Sequence, residues 1–374
     1  MFNRRRAKGA PGGERVGVNA LGIMAEEIAF LKNLWYMAAL SRSLRPDAMR
    51  REMLCGEPVL LGRTKEGAAF ALRDICPHRA APLSAGRIRD GEVECPYHGW
   101  RFRPDGQCAA IPSVLQDQNI DVNRIRVQHY PLREQDGLIW VYMPADAKAD
   151  AAPVLEPPKI SIRNSDGQAR PRFVEAQMFP CEVDHAVVGL MDPAHGPFVH
   201  NSWWWRTESS MHAKAKHHAP STRGFTMVTH KPSSNSFLYK ILGGDLSTEI
   251  RFELPGLRFE HIRAGRNEVL GFTAVTPLDD TRTLVTQVFY WTAPWLNLIR
   301  PFFRPFARAF LGQDRKIVEL QNEGLKFSPP QMLIQDADVP ALWYYRLKKA
   351  WAESVASGTA FENPVQERTL RWRS

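Results

Sequence analysis

The apolar pattern divides the chain into three stretches. Residues 1–30 read as a basic flexible tail, and the pattern turns globular at NLWYMAAL, residues 33–40. Short alternating or apolar runs follow: PVLLGR at 58–63, AAFALRD at 68–74, GEVEC at 91–95, RIRVQHYPL at 124–132 and LIWVYM at 138–143. Gly, Pro and Asp separate them, which predicts a small, mostly antiparallel β domain. The Ala- and Pro-rich stretch PADAKADAAPVLEPPK, residues 144–159, has no such pattern and reads as a boundary. Beyond it the periods mix. A helical region is predicted over 182–200, strands at 224–230, 248–254, 258–263, 268–276 and 283–291, and helices near 305–325 and 338–356. The expected organisation is a tail over 1–30, a β domain over 31–150 and an α+β domain over 151–374, with helices packed on an antiparallel sheet.

Composition narrows the class. With 374 residues, 44% of them hydrophobic, the chain is long for one core, which agrees with two domains. No apolar run reaches membrane-span length. The five cysteines, at 55, 76, 95, 108 and 181, are too sparse and too few for a disulfide scaffold. A reducing cytoplasm fits them, with some binding metal and Cys55, Cys108 and Cys181 as buried thiols. The first 23 residues are rich in Arg and Gly and lack the apolar stretch of a secretory signal; Met24 is an alternative start. The net charge of +9 favours acidic partners such as an acidic electron carrier, nucleic acid or an anionic membrane. The plainer reading is a basic tail on an ordinary protein, since Arg4, Arg5, Arg6, Lys8, Arg371 and Arg373 lie near the ends.

The most specific motif is CPHRAAPLSAGRIRDGEVECPYHGW, residues 76–100. Its potential ligands are Cys76-x-His78 and Cys95-x2-His98, so each of two loops brings one thiolate and one imidazole. Zinc fingers and ribbons usually pair Cys with Cys and His with His along the chain. The alternation suits a [2Fe–2S] cluster, with two Cys on one iron and two His on the other. Neutral imidazoles in place of anionic thiolates ease electron uptake, moving the potential to about −150 to +300 mV from roughly −400 mV. Pro77 and Pro96 stiffen the loops, and Gly99 permits close backbone approach. A structural zinc site is the competing reading.

A second pattern is Asp192-x2-His195-x4-His200 within EVDHAVVGLMDPAHGPFVH, residues 182–200. Two imidazoles and a carboxylate make the facial triad of non-haem Fe(II) oxygenases, with positions open for O2 and substrate. On a regular helix, His195 and His200 would point about 140° apart. Gly196 and Pro197 lie between them and are expected to break the helix there. Asp192, one turn before His195, is placed to accept a hydrogen bond from its non-ligating nitrogen. His185 reads as an ordinary histidine. The third ligand should come from far down the chain. Asp314 is the best candidate, because on a helix it shares a face with Phe310, Leu311, Ile317, Val318 and Leu325. Glu319 and Glu323 are weaker candidates, and a pairing of Asp314 with a buried Arg or a backbone amide is the alternative.

At these residues the chain resembles the Rieske non-haem iron oxygenases, over nearly all of 31–330. NLWYMAAL, CPHRAAPLSAGRI, CPYHGWRF, LMDPAHGPFVH and QDRKIVELQ look like the branch containing dicamba monooxygenase and vanillate O-demethylase. The resemblance implies a small Rieske domain followed by a helix-grip catalytic domain. It also implies the mononuclear iron ligands His195, His200 and Asp314, and head-to-tail homotrimers in which Asp192 links His98 of one subunit to His195 of the next. That branch often carries Asn three residues before the linking Asp, where this chain has Gly189.

No GxGxxG or other nucleotide fingerprint is present, so electrons must come from a separate reductase, with or without a ferredoxin. The expected function is that of a terminal oxygenase component that monooxygenates or O-demethylates a bulky apolar or aromatic substrate. A Rieske electron-transfer protein, or an inactive oxygenase fold that binds ligands, is the alternative. Trp203, Trp204 and Trp205 follow His200 and would wall a pocket, or serve as core or subunit interface. Arg300, Arg304 and Arg308 recur every four residues among aromatics. A helix with that pattern can lie on a membrane, but a buried helix with a solvated basic edge is the favoured reading.

Overall fold

The computed structural model describes residues 30–115, 117–118, 120–146, 152–163, 167–202, 208–232, 242, 245–329 and 331–374. The expected tail, residue 30 excepted, and Trp203–Trp205 lie outside them.

Three small antiparallel sheets build the first half. Leu34–Leu40, Leu138–Met143 and Leu132–Gln135 form one. Ala48–Leu54, Glu57–Arg63, Ala69–Arg73 and His129–Tyr130 form the second, and four short strands from Arg87–Arg89 to Cys108–Ala110 form the third. The single strand expected over 124–132 is divided. Pro131, which has no N–H for a ladder, separates His129–Tyr130 from Leu132–Gln135. Upstream, the Asp121 carboxylate caps a turn over Val122–Arg124 by accepting from the Asn123 N–H.

The second half is one eight-stranded antiparallel sheet. Its order is Phe173–Phe179, Arg282–Trp291, Asn267–Asp279, Leu257–Ala264, Leu246–Glu253, Gly224–His230, Ala213–Ser221 and Arg368–Arg373. Five of these strands match the apolar runs of the sequence. Phe173–Phe179, Ala213–Ser221 and Arg368–Arg373 do not announce themselves, and in the last two the alternation is carried by Lys, His and Arg. Burial there is made tolerable locally: Lys214 is buried and donates to Ser374 Oγ at 2.8 Å.

One face of this sheet packs on the first domain, where Trp35, Met37 and Trp140 meet Phe259, Phe272 and Tyr290. The other face carries the helices α1 (Val183–Met191), α2 (Gly196–Val199), α3 (Leu296–Leu325) and α4 (Val339–Ser357). This is the expected α+β architecture of an antiparallel β domain followed by helices on an antiparallel sheet.

α3 begins at Leu296 rather than near 305 and runs through Pro301 and Pro305. Both prolines sit on exposed turns, and Leu296, Ile299 and Phe303 anchor that end against Phe173 and Trp291. The favoured reading of this segment needs correction. Arg300, Arg304 and Arg308 do form an exposed edge, but Leu298, Phe302 and Phe306 are also exposed, so the helix is half-buried. The two stripes lie about 160° apart around the helix and do not merge into one basic-apolar face. Among the described residues no helix is long and apolar enough to cross a membrane.

Candidate metal centres

The two Cys-His loops are copies of one another. The Cys76 N–H donates to the Ala81 carbonyl at 2.9 Å, and the Ala80 N–H returns to the Cys76 carbonyl at 2.9 Å. In the second loop the Cys95 N–H donates to the Trp100 carbonyl at 2.8 Å, and the Gly99 N–H returns to Cys95 at 3.1 Å. The fourth residue after each cysteine is left-handed, with φ +58° at Ala80 and +69° at Gly99. Both thiols are buried, while the rings of His78 and His98 sit 4.6 Å apart on the outer side. Trp100 stacks on His78 at 4.8 Å, and Tyr97 lies 3.9 Å from His98. Burial, aided by the neighbouring Cys95 thiol and opposed by the backbone N–H groups of His78 and Arg79, pushes the Cys76 thiol up to about 11. Desolvation, then the charges of His78 and Arg79, hold His98 below the usual histidine range, in its neutral ligating form. Two inner sulfurs and two outer imidazoles fit a [2Fe–2S] cluster, whose irons would supply the positive charge that paired buried thiolates need.

The second centre is assembled from two helix ends and a distant helix. α1 stops at Met191, with Asp192 as its cap, and α2 starts at Gly196 with Pro197 in its first turn. The break therefore lies before His195, not at Gly196-Pro197, which start a helix instead, as Pro commonly does at a first turn. His195 and His200 cap the two ends of α2, and this brings their Nε2 atoms to 3.2 Å. Asp314 Oδ1 on α3 lies 3.1 Å from His200 Nε2 and 3.8 Å from His195 Nε2. Among the described residues this trio is the group placed to hold a metal ion.

The outer nitrogens explain why a cation fits. His195 Nδ1 lies 2.7 Å from the Asp192 carbonyl, and His200 Nδ1 lies 3.0 Å from Gln313 Oε1. Both partners are acceptors, so each Nδ1 carries the hydrogen and each Nε2 turns a lone pair inward. Two lone pairs and a carboxylate then meet with no proton among them. Burial lowers the His195 pKa, but the Asp192 and Asp314 carboxylates outweigh it and leave the group raised. The site thus attracts positive charge. Phe310 stacks on His200 at 3.6 Å and shields it.

Other sequence candidates resolve plainly. Leu311 and Val318 share the buried face of Asp314, but Ile317 is exposed because its position turns off that face. Glu319 pairs with Arg315 at 2.8 Å and Glu323 is exposed, so neither joins the trio. His185 stands apart from it. The carboxylate of Asp192 is 3.6 Å from His195 Nδ1 and accepts instead from the Ala194 N–H at 2.7 Å; the backbone carbonyl of Asp192 makes the closer contact. Gln313 was not anticipated. Its only signal is adjacency to Asp314, which does not reveal that its amide reaches His200.

Comparison with known proteins places these centres in a family. Residues 34–131 match the Rieske [2Fe-2S] domain, and residues 181–354 match the vanillate O-demethylase oxygenase C-terminal domain. The chain belongs to the Rieske oxygenases. The dicamba O-demethylase oxygenase component of Stenotrophomonas maltophilia is 34% identical over 178 residues, 47% of this chain and 49% of that protein. Chlorophyllide a oxygenase of Chlamydomonas reinhardtii is 35% identical over 182 residues, 47% of this chain and 25% of that protein. The chain thus spans between a quarter and a half of these relatives' lengths. Dicamba monooxygenase bound to dicamba shares the fold, with TM-score 0.68 at 22% identity over 88% of this chain and 99% of that one. In this Rieske oxygenase Gly189 is exposed on α1, and a side chain there would meet nothing within 4 Å among the described residues.

Proposed function

We propose that this chain is the terminal oxygenase component of a multi-protein system, using O2 to monooxygenate or O-demethylate a bulky apolar or aromatic substrate. The observation that carries the reading is the convergence of His195, His200 and Asp314 in a chain that also builds the Cys76, His78, Cys95, His98 site. The relatives' names support the reaction class, since one oxygenates chlorophyllide a and another O-demethylates dicamba.

In this reading Cys76, Cys95, His78 and His98 hold the cluster, and His195, His200 and Asp314 hold the iron. A bound cluster supplies single electrons, and Fe(II) in a two-His, one-carboxylate set keeps positions open for O2 and substrate. The Asp192 carbonyl and Gln313 fix the two imidazoles in the tautomer that ligates. Phe310 excludes water from one side of His200. The carboxylate of Asp192, one-third exposed, serves as the link to a neighbouring subunit's cluster in a homotrimer. A reductase, with or without a ferredoxin, is the electron donor, and the basic balance of the chain assists an acidic one. We place the protein in the cytoplasm, without a nucleic-acid partner and with peripheral membrane contact not favoured, and with domains over 31–150 and 151–374.

Single turnover of the reduced holoprotein tests this reading. Asp192→Asn keeps iron, sulfide and cluster reduction while product formation nearly vanishes. Near-normal product in that variant would mean that electrons reach the oxygen-activating site by another route.

A further inference from the structure

The two outer strands of the large sheet are finished differently. A sheet edge presents unpaired backbone N–H and C=O groups, which folded proteins normally blunt with charge, Pro, a bulge or a cover. At one end, Arg368–Arg373 carries three arginines in six residues. The Asp336 carboxylate covers it, accepting from the Arg368 guanidinium at 2.9 Å and from the Arg371 backbone N–H at 3.3 Å. At the other end, Phe173–Phe179 has no Pro, Lys or Arg and pairs with Arg282–Trp291 without a register shift. Its one inward charge, Glu175, already faces Arg304 at 3.6 Å. Among the described residues no strand pairs with its outer edge.

A groove of about 800 Å³ runs along that edge. Four consecutive residues of the strand, 175–178, form one wall and α3 forms the other. Arg304, Arg308 and Arg315 line the helical wall within about 40° of one another, over about 17 Å, the length of about five extended residues. Lys316 lies beside them, and Gly312 lines the same wall without a side chain. Two carboxylates meet these four cations, Glu175 at Arg304 and Glu319 at Arg315. Arg308 and Lys316 are exposed and have no carboxylate partner among the described residues. On the opposite face of the strand Ala176 and Met178 are exposed, Met178 by 42%. Strand side chains alternate between faces, so a chain laid along this edge meets cations on one side and apolar surface on the other.

We propose that the groove binds an extended segment of a partner protein in which acidic and apolar residues alternate. The segment pairs with the free edge of Phe173–Phe179 as a ninth strand. Its carboxylates face Arg308 and Lys316, and its apolar residues lie beside Ala176 and Met178. Backbone pairing supplies affinity, and the two faces supply selectivity for acidic over basic segments. The groove lies on the flank of α3 about 120° around the helix from Asp314, so binding there leaves the metal ligands untouched.

The test uses the purified holoprotein and three fluorescein-labelled heptapeptides: alternating Glu-Val, alternating Lys-Val, and the Glu-Val sequence N-methylated at every residue. Fluorescence anisotropy at low salt is expected to show Glu-Val bound about tenfold or more above both others. With Glu-Val bound, backbone hydrogen exchange slows over residues 173–179. Arg308→Gln combined with Lys316→Gln weakens Glu-Val by about three- to tenfold and leaves iron and sulfide content unchanged. Lys-Val bound as well as Glu-Val would overturn the charge complementarity, and the N-methylated peptide bound as well would overturn strand pairing. Absence of Glu-Val binding, unchanged exchange over 173–179, or unchanged affinity in the double variant would each overturn the proposal. None of these readouts depends on turnover, so the proposal stands or falls apart from the oxygenase reading.

Discussion

The two metal centres are built in opposite ways. The cluster site comes from one 25-residue segment, 76–100, folded as two copies of a single loop. The mononuclear site joins α2 to a helix more than a hundred residues away, and each of its two imidazoles is held by an outer acceptor, His195 by the Asp192 carbonyl and His200 by Gln313 on that distant helix. A locally encoded site should fail one ligand at a time and leave the fold alone. A tertiary site should respond to residues that never touch the metal.

The largest expected effect separates the two. Cys95→Ala removes acid-labile sulfide and visible colour almost completely, while about one iron per chain remains at the other centre. Loss of the mononuclear iron together with the cluster would mean that the centres are not independent. Next, Asp314→Ala removes the mononuclear iron and leaves the sulfide content and the reduced-cluster EPR signal unchanged. The outer contacts come third. Gln313→Leu weakens mononuclear metal binding by about 10- to 100-fold, measured by Co(II) titration of protein lacking that iron, and Gln313→Glu retains most of it. Unchanged affinity in Gln313→Leu would show that the His200 tautomer needs no support. The smallest effect compares the loops. Ala80 adopts the left-handed φ that Gly99 also has, so Ala80→Gly should stabilise the first domain by about 1 kcal/mol, read from urea denaturation. A destabilised variant would mean that the Ala80 methyl contributes packing that outweighs its strain.

The same contrast explains what could be read from the chain. The cluster motif was legible because ligand type, order and spacing lie in one segment, and Pro77, Pro96 and Gly99 mark its turns. In the second centre, Asp192, His195 and His200 were legible as a pattern, but the position of the helix break was not. Pro197 signals a helix start as readily as an interruption, and only the cap at Asp192 decides. Asp314 emerged from its apolar neighbours on one helical face. Gln313 is silent in the sequence because polar residues beside a ligand are common, and its meaning depends on where His200 turns. Two of the sheet's outer strands, Ala213–Ser221 and Arg368–Arg373, were hidden for a related reason. Their alternation is written in Lys, His and Arg, and a partner such as Ser374 for Lys214 becomes visible only once the sheet is folded.

The most direct test of the account is the metal content of the purified protein together with the EPR spectrum after dithionite reduction. The account predicts about three irons and two acid-labile sulfides per chain with a Rieske-type signal. One zinc and no sulfide would contradict it.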